Sequence, residues 1–335
     1  MPRTRRSDPA GPGYRRVGRG RGFSYCDDGG DTISDVATLE RIKALVIPPA
    51  WKDVWICADD RGHIQAVGTD GAGRRQYLYH DDWRAHRDRE KFKRLPDFAS
   101  KLPQARLALE ADLALKGLTR ERVMACAVRL LDIGLFRVGG EDYAEENASY
   151  GLATIQKQHV RVRKNAIEFR YVAKAGLDRT YEVEDRLVVP TVKALKRRRG
   201  KPTDELLAYH EGRGAWRDVT SDDINQWLKD LIGEEYSAKD FRTWNGTVLT
   251  AMRLAARDDA EDSDHAVTEV VKEVAETLGN TPAVCRASYI DPRVISKYER
   301  GTTIKAATDR LAAQGSSKDF ADLEGIEKAV IKLIT

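Results

Sequence analysis

Apolar and polar residues alternate over residues 54–80 and again over 159–184, whereas elsewhere the apolar spacing is three and four. In the first region Val54-Trp55-Ile56-Cys57-Ala58 and His63-Ile64-Gln65-Ala66-Val67 flank Asp59-Asp60-Arg61-Gly62, which predicts a hairpin. Asp70-Gly71-Ala72-Gly73-Arg74-Arg75 then leads into a third strand, Gln76-Tyr77-Leu78-Tyr79-His80. Ahead of these lies a short amphipathic segment, 42–46, which Pro48 and Pro49 prevent from continuing as a helix. From about 91 to 157 the spacing is helical, with Leu107, Ala111, Leu113 and Leu115 and then Val123, Cys126, Ala127, Leu130 and Leu131. In the second alternating region the apolar positions are Val160 and Val162, then Ile167, Phe169 and Tyr171, then Tyr181 and Val183. Turns at Lys164-Asn165 and Ala175-Gly176-Leu177-Asp178 make these a three-stranded antiparallel meander with Lys174 at a hairpin edge. Helices are predicted again over 190–198, 221–231 with Ser221 as cap, 243–257 and 266–278. The class is therefore α+β, a small β-rich N-terminal domain followed by a mainly α-helical domain that contains a three-stranded antiparallel sheet. The expected boundaries are 1–22 for a basic Arg/Gly arm, 23–90 for the β-rich domain and 91–335 for the helical one.

A chain of 335 residues is long enough for two domains, each with its own core. The four cysteines, Cys26, Cys57, Cys126 and Cys285, are far apart and form no CxxC, so neither a zinc framework nor a disulfide scaffold is indicated. No apolar run approaches the roughly 18 residues of a membrane span, and a soluble cytoplasmic protein is expected. The net charge of +4, from 57 basic and 53 acidic residues, does not argue for nucleic acid, but the charge distribution does. Residues 1–22 hold seven arginines against Asp8, an arm expected to be disordered and DNA-attracting. Lys193, Lys196, Arg197, Arg198, Arg199 and Lys201 form a second basic cluster, and Asp258, Asp259, Glu261, Asp262 and Asp264 an acidic one. Such segregation suits a clamp with basic inner faces, and it equally suits a solvated arm and a solvated helix face.

Tyr289 draws attention because three separated cations supply what a nucleophilic tyrosine needs. A phenol with an ordinary pKa of about 10 attacks poorly at neutral pH unless cations stabilise the developing phenolate. Arg137 and Arg242 can do so, and their guanidinium forks match the nonbridging oxygens of a pentacoordinate phosphorane. A departing 5′-oxygen needs a proton, which Lys174 on its hairpin can deliver as general acid. There is no HExxH, no cysteine cluster and no GxxxxGK[ST] loop, so no metal and no ATP are expected. Taken singly, each residue has a plainer reading. Tyr289 fits a half-buried helix surface, Arg137 an ion pair with Glu141, Lys174 a solvated turn, and Arg242 a stack on Trp244. Gln76, Tyr77 and Tyr79 likewise fit a half-buried strand.

Taken together, the segments Leu135-Phe136-Arg137-Val138-Gly139, Tyr171-Val172-Ala173-Lys174-Ala175-Gly176, Lys239-Asp240-Phe241-Arg242-Thr243-Trp244 and Ser288-Tyr289 resemble the type IB DNA topoisomerases of poxviruses and bacteria. The stretch from Ile47-Pro48-Pro49-Ala50-Trp51 to Gln76-Tyr77-Leu78-Tyr79-His80 resembles their N-terminal DNA-clamping domain. The resemblance implies Arg137, Lys174, Arg242 and Tyr289 as catalytic, and Gln76, Tyr77, Tyr79, Tyr143 and Lys239 as DNA contacts. It further implies nicking of one strand of duplex DNA through a 3′-phosphotyrosyl link, strand rotation and religation, by a monomer at the nucleoid. Nine residues before the tyrosine the viral enzymes carry a histidine, but this chain has Asn280, as bacterial members do. Asn280 is therefore a fifth expected catalytic residue, able to donate a hydrogen bond but not to carry charge. Ala175 also stands where viral sequences tend to be acidic. A tyrosine recombinase shares the Arg, Lys, Arg, Tyr chemistry, but usually has a histidine in place of the lysine of Lys239-x-x-Arg242, and a helical N-terminal domain. A noncatalytic DNA-binding clamp on the same scaffold is the remaining alternative.

Overall fold

In the computed structural model, residues 4–20, 22–71, 73–140, 149–199, 204–211, 215–257, 262–313 and 320–335 are described. The chain divides into two units, Met1–Lys93 and Arg94–Thr335. The first is built on a five-stranded antiparallel sheet of order β2-β1-β3-β4-β5, with β1 at Tyr14–Arg19, β2 at Gly22–Cys26, β3 at Lys52–Ile56, β4 at Ile64–Thr69 and β5 at Arg75–Tyr79. Strand alternation sends Val54 and Ile56 to a core with Ala66 and Ile42 of α1 (Val36–Ala44). Trp55, Cys57 and Val67 form a second, smaller cluster.

The expected arm over 1–22 needs correcting where it is described. Tyr14–Arg19 pairs with both β2 and β3, and Arg5 and Ser7 bond to the loop and strand around His63 and Ile64. Arg16 donates to the carbonyls of Ile47 at 3.3 Å, Pro48 at 3.1 Å and Trp51 at 2.5 Å, and its guanidinium lies 4.2 Å from the Phe23 ring centroid. Within this turn Pro48 O also accepts from Trp51 N at 3.1 Å, and the guanidinium supplies the further donors that the two prolines, which lack an N–H, do not.

The second unit is mainly helical. It takes the later part of α2 (Asp81–Leu113), then α3 (Arg120–Gly134), α4 (Val188–Arg197), α5 (Ser221–Ile232), α6 (Ala238–Ala255), α7 (Ser263–Leu278), α8 (Pro282–Tyr289), α9 (Pro292–Tyr298), α10 (Lys305–Ala313) and α11 (Phe320–Ile334). The apolar stripe of α2 runs through Leu95, Phe98, Leu102, Leu109 and Leu113; of the four positions expected there Leu113 is buried, whereas Leu107 and Ala111 are exposed and Leu115, also exposed, lies beyond the end of the helix. Helix α3 ends at Gly134, and no helix is present among the described residues between there and 156. From Val123 to Leu131 every residue of α3 is buried, making it the central helix of the unit. The predicted meander is present as β6 (Val160–Val162), β7 (Ile167–Ala173) and β8 (Leu177–Val183), in that order. A two-stranded hairpin, β9 (Ala208–Glu211) with β10 (Ala215–Asp218), is short and polar enough to have escaped the sequence pattern. Thr220, not Ser221, caps α5, accepting from Asp223 N while the Asp223 carboxylate accepts from Thr220 N. Part of the second basic cluster has internal partners: Lys193 donates to Lys164 O at 3.0 Å, and buried Arg198 to Leu206 O and Glu205 O, both at 2.7 Å. Lys201, Asp258, Asp259 and Glu261 lie outside the described residues.

Candidate active site

Tyr289 is held by two consecutive capping devices. Helix α7 ends on Gly279 in the left-handed region (φ 64°), with Gly279 N donating to Glu276 O at 3.0 Å and Asn280 N to Ala275 O at 2.9 Å. This pair of bonds is a Schellman motif, which glycine enters without steric cost. The chain turns at once into α8, where Thr281 accepts from Val284 N and Pro282 occupies the first turn. Two turns later Tyr289 is the last residue of the helix, half-buried, between fully buried Cys285 and Ile290. Helix α6 supports it from below. A Cβ on Gly246 would lie 2.5 Å from Tyr289 O and 3.3 Å from Tyr289 Cβ, so only glycine admits this approach. The neighbouring Thr247 hydroxyl accepts from Asp291 N at 3.1 Å.

Arg137 is placed by the exit from α3. Leu135 takes the left-handed conformation (φ 55°), unfavourable for a side chain with a Cβ by about 1–2 kcal/mol, and bends the chain sharply. Phe136 then buries its ring against the sheet, 5.0 Å edge-on to Phe169 and 5.4 Å from Tyr181, which directs its neighbour Arg137 away from that core. The loop is tied by Leu152 N to Arg137 O at 2.8 Å and Ala153 N to Val138 O at 2.7 Å. Gly139 and Gly151 cross in backbone contact, and a Cβ on either would fall inside 3.0 Å of the other's Cα. Arg137 Nη2 donates to Gly279 O at 2.8 Å and to Asn280 Oδ1.

Arg242, in the second turn of α6, is only 3% exposed, a degree of burial that needs compensating partners. Its guanidinium donates to Leu278 O at 2.7 Å and to Leu135 O, and lies 5.2 Å from the Tyr289 ring centroid. Burial lowers its pKa, the charge of Arg137 lowers it further, and Tyr289 opposes the shift. Stacking is thus on Tyr289. Trp244 is buried and donates to Glu327 Oε1 of α11 at 2.9 Å. Glu327 and Asp132 both pair with Arg106, at 2.6 and 2.9 Å. Burial works against the charge of Arg106, but these two carboxylates outweigh it and raise its pKa. This network fixes α6, α3 and α11 to one another behind the site.

Arg137 thus contacts Asn280 and Arg242 contacts Tyr289, and the two arginines are joined through the adjacent carbonyls of Gly279 and Leu278. Lys174 opens the one-turn 3₁₀ segment Lys174–Gly176 between β7 and β8, and is exposed. Lys239 is exposed in the first turn of α6. In the first unit, Tyr77 and Tyr79 project from one face of β5, exposed and stacked with centroids 6.1 Å apart, while Gln76 alternates to the other face and donates to Asp70 Oδ2 at 2.8 Å. Tyr143 and Glu141 lie outside the described residues. Among the described residues no group of three or more His, Cys, Asp or Glu is placed to hold a metal ion, and no helix is long and apolar enough to cross a membrane.

Residues 80–315 match the family described as eukaryotic DNA topoisomerase I, catalytic core. The chain belongs to the type IB DNA topoisomerase family. Residues 22–70 match the N-terminal domain of bacterial DNA topoisomerase IB. Among relatives, the DNA topoisomerase 1B of Acanthamoeba polyphaga mimivirus is 29% identical over 296 residues, 85% of this chain and 87% of that protein. The DNA topoisomerase 1B of vaccinia virus (strain Copenhagen) is 20% identical over 234 residues, 68% of this chain and 70% of that protein. The DNA topoisomerase 1 of Mycosarcoma maydis is 25% identical over 196 residues, 52% of this chain but 19% of its own length. For a type IB topoisomerase, Gly246 and Thr247 are the site residues that sequence reasoning missed. The available signal was a glycine inside a strongly helical stretch, which costs about 1 kcal/mol relative to alanine and marks close packing.

Proposed function

We propose that the enzyme relaxes supercoiled duplex DNA, using Tyr289 as nucleophile, Arg137, Arg242 and Asn280 as the phosphate clamp and Lys174 as proton donor. Tyr289 Oη attacks phosphorus and its proton passes to solvent. The bond to the 5′-oxygen breaks as Lys174 supplies a proton to that oxygen. A 3′-phosphotyrosyl link retains the energy of the phosphodiester, the free strand rotates, and the reverse steps restore the backbone without ATP or an obligatory metal. Two donors of this arginine cluster carry this reading: Arg242 Nε and Asn280 Nδ2 are buried without an acceptor among the described residues. An orphaned buried donor costs about 1–3 kcal/mol, and nonbridging phosphate oxygens are the acceptors that would relieve it. Exposed Tyr77, Tyr79 and Lys239 are proposed to touch DNA, with Gln76 reaching it only after leaving Asp70. The enzyme is proposed to act as a monomer on the DNA of the cytoplasmic nucleoid.

Relaxation of a supercoiled plasmid in EDTA without ATP tests the whole scheme. The wild type is expected to relax it and to leave a covalent adduct on denaturation, and Tyr289→Phe to do neither. Unchanged supercoils with the wild type would refute the activity, and relaxation by Tyr289→Phe would refute the nucleophile.

A further inference from the structure

Four consecutive carbonyls at the end of α7 are each bonded by an arginine. Gly279 O accepts from Arg137 at 2.8 Å and Leu278 O from Arg242 at 2.7 Å. Glu276 O accepts from Arg179 Nη1 at 2.8 Å, and Thr277 O from Arg179 Nη2. The last carbonyls of a helix carry the negative end of its dipole, so cations are favoured there. Arg179 stands on β8, opposite Tyr171 of β7, on the hairpin whose turn begins with Lys174. Its Nε donates to Tyr181 Oη at 2.8 Å, and its guanidinium lies 4.6 Å from the Tyr181 ring centroid. Gly279 is shaped to it as well, since a Cβ there would sit 3.0 Å from Arg179 Nη1.

All three guanidinium nitrogens of Arg179 thus have acceptors within the protein, which sets it apart from Arg242 with its orphaned Nε. We infer that Arg179 is a positioning residue that fastens the Lys174 hairpin to the end of α7, where Arg137, Arg242 and Asn280 converge. Released from α7, the β7–β8 hairpin would keep its own ladder but lose its fixed position relative to the end of α7. The defect would then fall on proton delivery to the leaving oxygen rather than on the arginine clamp. This inference rests on Lys174 being the general acid.

The test is single-turnover adduct formation on ordinary duplex and on duplex with a 5′-bridging phosphorothiolate, whose thiolate leaving group needs no proton. Arg179→Ala, Arg179→Lys, Tyr181→Phe and Lys174→Ala are compared with wild type. Arg179→Ala is expected to slow cleavage of the ordinary bond by about 100-fold, the cost of misplacing a reacting group by about 1 Å. It should cleave the phosphorothiolate at nearly the wild-type rate, as Lys174→Ala should. Arg179→Lys and Tyr181→Phe should show the same substrate selectivity in smaller degree, and they serve if the alanine variant does not fold. Equal slowing on both substrates, or no slowing on either, would overturn the role of Arg179. Rescue of Lys174→Ala without rescue of the Arg179 variants would overturn it while leaving the acid assignment intact. Failure to rescue Lys174→Ala would overturn the acid assignment and the inference with it.

Discussion

Gly246→Ala probes how closely the tyrosine is held. The added Cβ would sit 2.5 Å from Tyr289 O, where ordinary contact begins near 3.4 Å, so the two backbones must part by about 0.9 Å (3.4 − 2.5). Leu278 Cδ1 at 3.2 Å also crowds the new methyl, and buried Cys285 and Ile290 oppose a sideways escape of α8. In an uncrowded helix interior the same substitution stabilises by about 1 kcal/mol. Overpacking costs about 1–3 kcal/mol, so the net change runs from none to a loss of about 2 kcal/mol. Displacing a nucleophile by about 1 Å costs on the order of 100-fold in rate. Single-turnover formation of the covalent adduct, with urea unfolding of the same preparation, measures both effects. A variant that cleaves at the wild-type rate and gains about 1 kcal/mol in stability would refute the close contact between α6 and the Tyr289 segment.

Gly151→Ala should separate the crossing backbones at Gly139 and lose about 1–3 kcal/mol in urea unfolding, because neither backbone has a side chain to move aside; adduct formation should slow with it, and a neutral variant would refute the crossing. Glu327→Ala leaves buried Arg106 half-paired and Trp244 Nε1 without its acceptor, for a loss of about 3 kcal/mol by denaturant unfolding; a loss below about 1 kcal/mol would show the network to be dispensable. His159, against Tyr150 at 4.4 Å, has its pKa lowered from 6.5 by burial. Its contribution to stability is therefore whole above 6.5 and lost as pH falls through the lower folded value, since the unfolded chain binds the proton first. His159→Gln should lose less stability than wild type between pH 7 and pH 5, and equal losses would contradict the burial of the ring.

Much of the architecture was legible in the residue pattern because strand alternation and turn chemistry are local. The meander from Val160 to Val183 appeared with its three strands in order, and the hairpin around Asp59-Asp60-Arg61-Gly62 likewise. The glycine-asparagine-threonine-proline run that stops α7 and starts α8 is equally local, and it fixes the spacing of Asn280 from Tyr289. Family resemblance could name Arg137, Arg242 and Asn280, but not what their nitrogens bond to. Basic residues in sequence say only that charge is present. Folding gave Arg16 the carbonyls of a proline turn, Arg198 those of Glu205 and Leu206, and Arg179 the end of a helix nearly a hundred positions away. Two leucines near the end of α2 mislead for a related reason, since those at 107 and 115 carry the same periodic signal as those at 95, 102 and 109, and only packing partners distinguish them. Periodicity and capping act within a few residues and can be read along the chain. Which buried donor finds an acceptor depends on segments that meet only when the core closes, and here that closure leaves Arg242 Nε, against Tyr289, and Asn280 Nδ2, against Arg137, without an acceptor among the described residues.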